Sequence, residues 1–119
     1  MAKWINKRLP TGTVALISPA QRCQQTVAAL LAYSDIPVRT EEFLSINSSA
    51  QRIVRELANQ PNAKALLVVG HQPNLGLLIA HYLGMPEHAL SVKKGAVWWL
   101  RKRSGLGATH YKIHMVMMP

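Results

Sequence analysis

The sequence predicts an α/β fold with three layers, in which a mostly parallel sheet carries helices on both faces. Two short, continuously apolar stretches, Val14–Ile17 and Ala65–Val69, are typical of strands buried on both faces. Each is followed by a segment whose apolar residues recur at helical spacing. This alternation of strand and helix is the pattern of a parallel sheet. With 119 residues, the chain is predicted to form a single domain over residues 1–119.

Three helices are predicted from the helical spacing of apolar residues and from residues typical of helix starts and ends. Ser18 is predicted to be the N-cap of the first helix, with Pro19 at its first position. Ser48 and Gln51 form a capping box for the second helix, and Gly84 closes the third. The predicted core positions of these helices are Cys23, Val27, Leu30, Leu31, Ala50, Ile53, Val54, Leu57, Ala58, Leu75, Leu78, Ile79, Tyr82 and Leu83.

Shorter elements complete the prediction. Ala2–Leu9 is predicted to be a short helix, and Val38 begins a brief extended segment. Gly95–Leu100 and His110–Met117 are predicted to be two strands near the end of the chain. In the last strand, alternation predicts one buried face made of Tyr111, Ile113, Met115 and Met117.

The composition excludes several classes of protein. Hydrophobic residues make up 49% and charged residues 16%, which indicates a globular rather than a disordered chain. The apolar runs are too short to span a bilayer, and the charged N-terminus is not a signal peptide. Cys23 is the only cysteine, so no internal disulfide forms and a cytoplasmic location is expected. The net charge of +9 favours acidic partners.

Two residues with phosphate-binding chemistry follow the two buried strands. Arg22 is predicted in the first turn of a helix, beside backbone N–H groups that have no intrahelical partner. His71 follows Ala65–Val69 through Gly70, which permits a sharp turn. Because the carboxyl ends of parallel strands meet at one edge of a sheet, both side chains are expected in one pocket. A guanidinium, free N–H groups and an imidazole together predict a phosphate site.

Other polar residues give weaker signals. Glu41 and Glu42 follow the Val38 segment, where a carboxyl group is either a general acid or part of a solvated loop, and their role stays open. Cys23 occupies an apolar helical position and is expected in the core rather than as a nucleophile. The remaining histidines have no cysteine partner and no facing carboxylate cluster, so no metal site is predicted.

The stretches Ser18–Thr26 and Val69–Asn74 together resemble two motifs of the histidine phosphatase superfamily, which has the phosphoglycerate-mutase-like fold. The chain is most similar to its small bacterial phosphohistidine phosphatases of two-component signalling. The resemblance implies a hydrolase in which a nucleophilic histidine forms a covalent phosphoenzyme that water then hydrolyses. It implies that Arg22 grips phosphoryl oxygens and that His71 stabilises charge on the transferring group. The implied partner is a phosphohistidine protein or a small phosphoester, and no cofactor is implied.

The chain departs from this family in one motif. The family's Arg-His-Gly sequence, which carries the nucleophile at the end of its first strand, does not occur here. The chain is therefore expected to be N-terminally truncated, to carry the second half of the active site and to be inactive alone. The resemblance places the absent strand between Val14–Ile17 and Ala65–Val69. These strands either pair directly, or their unpaired edges lead to dimerisation or aggregation.

Two other classes of function stay open. One is a catalytically inactive module that binds phosphate or a phosphoprotein through Arg22 and His71. The other is a basic nucleic-acid-binding domain, suggested by the net charge of +9 and by Trp98 and Trp99 beside basic residues 101–103. Adjacent strand residues face opposite ways, so only one of these rings can serve a given surface, and core packing is the favoured interpretation.

Overall fold

The computed structural model describes residues 4–5, 7–32, 34–60, 64–86, 90–102 and 111–118. Contacts divide the chain into two compact units, Met1–His71 and Gln72–Pro119, each of which contains its own sheet.

The first unit is built on a three-stranded parallel sheet in the order β2-β1-β3. Its strands are β1 (Thr13–Ile17), β2 (Val38–Thr40) and β3 (Ala65–Val69). The central strand β1 is the most buried, and Ala15 and Leu16 are fully inaccessible to solvent. This burial explains its continuous apolar sequence and confirms the prediction of a parallel sheet.

β1 and β3 pair directly along their whole length. Thr13 lies opposite Ala65 and Ile17 lies opposite Val69, and the ladder continues as the Ser18 N–H donates to the Val69 carbonyl at 3.0 Å. Of the two alternatives expected for these strands, direct pairing is therefore the one observed. The physical reason is that two apolar strands of five residues each satisfy the backbone groups on their facing edges.

Two helices and a short 3-10 turn follow β1 among the described residues of the first unit. They are α1 (Gln21–Leu31), the 3-10 turn (Glu42–Leu44) and α2 (Ala50–Ala58). α1 packs against β1 and buries Cys23 and Val27, while α2 buries Ile53. These three burials confirm predictions made from helical spacing. Ala58, also predicted in the core, is exposed at the end of α2. The predicted core side chains of residues 30 and 31 lie outside the described part of the structure.

The described residues of the second unit form one helix and an antiparallel strand pair. They are α3 (Asn74–Leu83), β4 (Val97–Lys102) and β5 (Tyr111–Met117). α3 ends as predicted at Gly84, whose left-handed φ of 70° suits a residue without a Cβ. α3 packs against β5, and the rings of Tyr82 and Tyr111 meet edge to face at 4.8 Å. Burial, and secondarily the neighbouring Tyr111, raises the pKa of Tyr82 above its ordinary value.

The predicted buried face of β5 is interrupted by a bulge. Trp99 lies opposite Met115, but the next residue, Leu100, lies opposite Ile113, so that His114 is an extra residue in β5. A bulge changes which side chains share a face of the ribbon. Ile113 was predicted to be buried, yet 49% of its surface is exposed.

The predicted N-terminal helix is only partly within the described residues. Trp4 and Ile5 are helical, and a turn follows at Lys7 and Arg8, so no helix extends to Leu9. Within the described part of the chain, no helix is long and apolar enough to cross a membrane.

Candidate phosphate site

The carboxyl ends of β1 and β3 bring the two sequence motifs into contact. The Ser18 Oγ lies 2.7 Å from the His71 Nε2, although the two residues are 53 positions apart. Ser18 directly follows β1, and His71 follows β3 after a single glycine. Since Ile17 and Val69 are opposite one another in the ladder, the residues after each strand emerge side by side. The site is therefore built where a parallel sheet places its ligands.

Ser18 holds the bend between β1 and α1 rather than acting as the helix N-cap. Its hydroxyl accepts a hydrogen bond from the Ala20 N–H at 3.2 Å, and Ser18 itself is fully buried. The Ala20 carbonyl then accepts the first helical bonds, from the N–H groups of Cys23 and Gln24. α1 begins only at Gln21, because Ser18 is still engaged in the β1–β3 ladder. The predicted cap position is therefore wrong, although the serine is in use.

Cys23 packs on the histidine loop from the first turn of α1. Its Sγ lies 3.8 Å from the Gly70 carbonyl oxygen and 3.9 Å from the His71 Nε2. It is buried and free of any disulfide, as its apolar helical position predicts. α1 and the histidine loop thus touch through both Ser18 and Cys23.

Gln24 ties the first turn of α1 to the ends of two strands. Its Nε2 donates to the Ser18 carbonyl at 3.0 Å and to the Thr40 Oγ1 at 3.1 Å. Sequence reasoning missed Gln24. An amide in a first helical turn gives no sign that its partners are Ser18, 6 positions earlier, and Thr40, 16 positions later. A glutamine within reach of a strand–helix bend is the only signal that the sequence offers.

Arg22 lies exposed in the first turn of α1, directly before Cys23. Among the described residues, the one ion pair joins the Arg39 Nε to the Glu41 Oε1 at 4.0 Å, so no described carboxylate neutralises Arg22. Its side chain is therefore available to an external anion, next to the turn that contacts His71.

The two candidate carboxylates occupy different places. The Glu41 N–H donates to the Ile17 carbonyl at 2.8 Å, which brings its backbone to the end of β1, but its side chain pairs with Arg39. Glu42 lies in the 3-10 turn and is exposed. No hydrogen bond or ion pair joins either described carboxylate to Ser18 or His71, and their role stays a prediction.

The other described histidines, His81 and His114, make ring contacts of their own. His81 stacks edge-on against Tyr82, and His114 against Trp99 with ring centroids 4.9 Å apart, both within the second unit. His88 and His110 lie outside the described residues. Within the described chain, no group of three or more histidine, cysteine, aspartate or glutamate side chains is arranged to hold a metal ion.

A surface cleft of about 370 Å³ lies at the opposite end of the first sheet. It is lined by residues 9–14 and 34–37, which surround the amino ends of β1 and β2. None of the site residues contributes to it. The polar side chains gathered by hydrogen bonding, rather than the size of a cleft, therefore identify the candidate site.

Comparison with known proteins finds one relative that matches over a short segment of the chain. No protein-family model matches the chain. Over 55 residues, the chain is 36% identical to the adenosylcobalamin/alpha-ribazole phosphatase of Escherichia coli (strain K12). The matched segment makes up 46% of this chain and 27% of that protein, so the chain spans well under two thirds of its curated relative.

Solved structures match over nearly the whole chain. The structure assigned as the phosphohistidine phosphatase SixA of Nakamurella multipartitia superposes with a TM-score of 0.79 at 23% identity, covering 99% of this chain and 77% of that one. The protein histidine phosphatase SixA in complex with tungstate superposes with a TM-score of 0.78 at 17% identity, covering 98% of this chain and 74% of that one. The chain therefore has the α/β fold of these solved phosphatases, which is the phosphoglycerate-mutase-like fold that its two motifs predict.

Proposed function

We propose that the chain binds a phosphoryl group at Arg22 and His71, as part of a phosphohistidine phosphatase that acts on phosphohistidine in signalling proteins. The observation that carries this proposal is the 2.7 Å contact between the Ser18 Oγ and the His71 Nε2. It joins the two motifs that resemble those of histidine phosphatases. The similarity to SixA, whose structure holds the oxyanion tungstate, supports the choice of a tetrahedral anion as the ligand.

The chemistry of the strand ends suits such an anion. α1 begins beside His71, and its first N–H groups, those of Gln21 and Arg22, have no intrahelical partner. The positive end of the helix dipole and the Arg22 guanidinium both favour a bound anion, which removes the unfavourable placement of a cation at a helix N-terminus. The net charge of +9 attracts the same ligands at longer range.

Hydrolysis through a phosphoenzyme needs a nucleophile as well as a binding site. The Arg-His-Gly sequence that supplies it in the resembled family is absent from the 119 residues. We assign to this chain the binding and charge-stabilising half of the active site, and we expect no turnover from the chain alone. An acid-labile phosphoryl adduct on His71, formed by the purified chain with a labelled phospho-donor, would contradict this assignment.

The binding half is tested by calorimetric titration with orthovanadate, a tetrahedral phosphate analogue. Arg22→Ala is expected to abolish the measurable heat. Arg52→Ala is the matched control, because Arg52 is also an exposed arginine in the first turn of a helix that follows a serine. Equal affinities of the two variants for vanadate would overturn the proposed site.

A binding module that holds phosphoproteins without hydrolysing them is the second candidate, favoured by the absent Arg-His-Gly sequence. It differs from the first in one measurable respect. Both candidates predict that the chain forms a complex with a phosphohistidine protein. Only the phosphatase predicts hydrolysis when a second polypeptide that carries an Arg-His-Gly motif is added. Trp99 contacts His114 within the chain, which favours intramolecular packing of that ring over nucleic-acid binding.

The facing edges of β1 and β3, through which association was expected, pair with each other, so we propose that copies of the chain associate instead through the edge of β3 that faces away from β1. The Val69 carbonyl faces β1, so the backbone groups of the preceding residue, Val68, face the other way. Val68→Pro removes an outward N–H and leaves the ladder to β1 in place. Sedimentation should show the wild type associating as its concentration rises and the variant remaining monomeric. A monomeric wild type at every concentration would contradict this proposal.

The cellular location is proposed to be the cytoplasm. The single cysteine, Cys23, is buried as a free thiol, which suits a reducing compartment.

A further inference from the structure

We infer that Ser18 is a positioning residue for His71. Its hydroxyl donates to the His71 Nε2 and holds the neutral imidazole in the Nδ1–H tautomer, so that His71 meets a phosphoryl group with its Nδ1–H. The second half of this inference rests on the proposed phosphate site, and the first half does not.

The direction of the hydrogen bond follows from counting the donors and acceptors around the Ser18 Oγ. A hydroxyl has one hydrogen to donate and two lone pairs that accept. The Ala20 N–H, which can only donate, occupies one lone pair at 3.2 Å. Ser18 is fully buried, so water does not accept its hydrogen. The His71 Nε2 at 2.7 Å is the acceptor among the described contacts, and a buried hydroxyl hydrogen is rarely left unpaired.

The consequence for the imidazole is a fixed tautomer. A neutral imidazole carries one N–H and one bare nitrogen, and the hydrogen bond made by one nitrogen decides the state of the other. With its lone pair directed at Ser18, Nε2 is bare and Nδ1 carries the proton. The Cys23 Sγ, 3.9 Å from the same Nε2, further occupies that side of the ring. Nδ1 is therefore the ring nitrogen left for a ligand.

Ser18 is itself held firmly enough to impose this orientation. Its N–H donates to the Val69 carbonyl at 3.0 Å, and its carbonyl accepts from the Gln24 Nε2 at 3.0 Å. Both backbone groups are thus tied to neighbouring elements, and the hydroxyl is directed at the histidine loop. Ser18 acts on the ligand through His71, which makes it a positioning residue rather than a catalytic one.

The wild-type chain provides a direct test by NMR. Long-range proton–nitrogen correlations of the imidazoles, recorded at about pH 8.5 where an ordinary imidazole is neutral, report which nitrogen is protonated. His71→Gln identifies the His71 signals by their loss. The inference expects a protonated Nδ1 and a bare Nε2 for His71. A protonated Nε2 would overturn it.

Variants at the serine separate positioning from a merely structural role. Ser18→Ala removes the donor and should move His71 toward the Nε2–H tautomer, while Ser18→Thr keeps a hydroxyl and should retain Nδ1–H. Cys23→Ala, the matched control on the same nitrogen, should leave the tautomer unchanged. A folded Ser18→Ala that keeps Nδ1–H would overturn the inference. If that variant does not fold, the wild-type and Ser18→Thr spectra still decide it.

Vanadate affinity links the tautomer to the proposed function. If only the Nδ1–H form binds, the apparent Kd in folded Ser18→Ala rises by the inverse of the remaining Nδ1–H fraction. An unchanged Kd alongside a changed tautomer would overturn the claim that Nδ1–H meets the ligand. A wild type with Nδ1–H that binds no vanadate refutes the proposed function and leaves the assigned tautomer standing. A wild type with Nε2–H that binds vanadate refutes the assigned tautomer and leaves the proposed function standing.

Discussion

Helices α1 and α2 start from nearly the same local sequence, a serine followed by an arginine in the first turn, yet the two starts differ in what the serine contacts. At α2, Ser49 is exposed, and its hydroxyl accepts the local N–H of Arg52 at 3.2 Å. At α1, Ser18 is fully buried, and its hydroxyl reaches a histidine 53 positions away. One serine caps a helix, and the other joins two loops.

The difference arises from what precedes each helix. Ser18 leaves a strand whose neighbour, β3, ends in register with it and delivers His71 to the same edge. Ser49 follows a 3-10 turn and an irregular stretch, and its hydroxyl bonds within its own helix start. A serine cap and an arginine are therefore not enough for a phosphate site. The converging strand ends supply the third group, the imidazole of His71.

The largest expected effect on stability separates the two serines. Ser18→Ala leaves the half-buried Ala20 N–H and the His71 Nε2 without their hydroxyl partner, and should lower the free energy of unfolding by about 2–3 kcal/mol. Ser49→Ala loses an exposed cap and should cost about 1 kcal/mol. Urea unfolding of both variants measures the difference. Equal losses of unfolding free energy would mean that Ser18, like Ser49, stabilises only its own helix start.

A smaller effect is expected at the glutamine that supports the α1 start. Gln24→Ala removes the hydrogen bonds to the Ser18 carbonyl and the Thr40 Oγ1, and should lower the free energy of unfolding by about 1 kcal/mol. Gln25→Ala is the control on the same helix, since Gln25 is exposed, and should stay within about 0.5 kcal/mol of the wild type. If the two variants unfold alike in urea, the clamp does not hold the strand–helix bend.

The smallest effect concerns Tyr82, a residue of the second unit. The raised pKa of Tyr82 means that the unfolded chain loses this proton first, at about pH 10. Below that pH the contribution to stability is fully present, and it is lost as pH rises through the higher folded pKa. Tyr82→Phe should therefore flatten the alkaline decline in unfolding free energy. Parallel curves for the variant and the wild type above pH 10 would contradict this.

Much of the fold could be predicted because its signals are local. The apolar run Ala65–Val69 matches β3 residue for residue, and Gly84 ends α3 where a left-handed residue is needed. Arg22 and His71 could be nominated because strand ends collect ligands. Wherever a partner far along the chain decides the outcome, the sequence was insufficient. One wrong prediction was local. Ser49 caps α2 where Ser48 was predicted, because two adjacent serines offer similar caps to the same helix.

The groups that complete the candidate site are non-local. Neither the role of Ser18 as partner of His71 nor the clamp by Gln24 is visible without knowing that β1 and β3 pair directly. The same holds for Ile113, whose exposure depends on a bulge set by pairing with β4. Spacing identifies candidate residues, and register decides which of them meet.

Whether the converging strand ends form one phosphate site is tested most directly by a vanadate titration of the wild-type chain, observed through the histidine side chains by NMR. His71 should shift saturably as vanadate is added. His114, an exposed histidine of the second unit packed on Trp99, serves as the internal reference and should stay unchanged. A His71 signal that does not move, or that moves only as much as His114, would contradict the account.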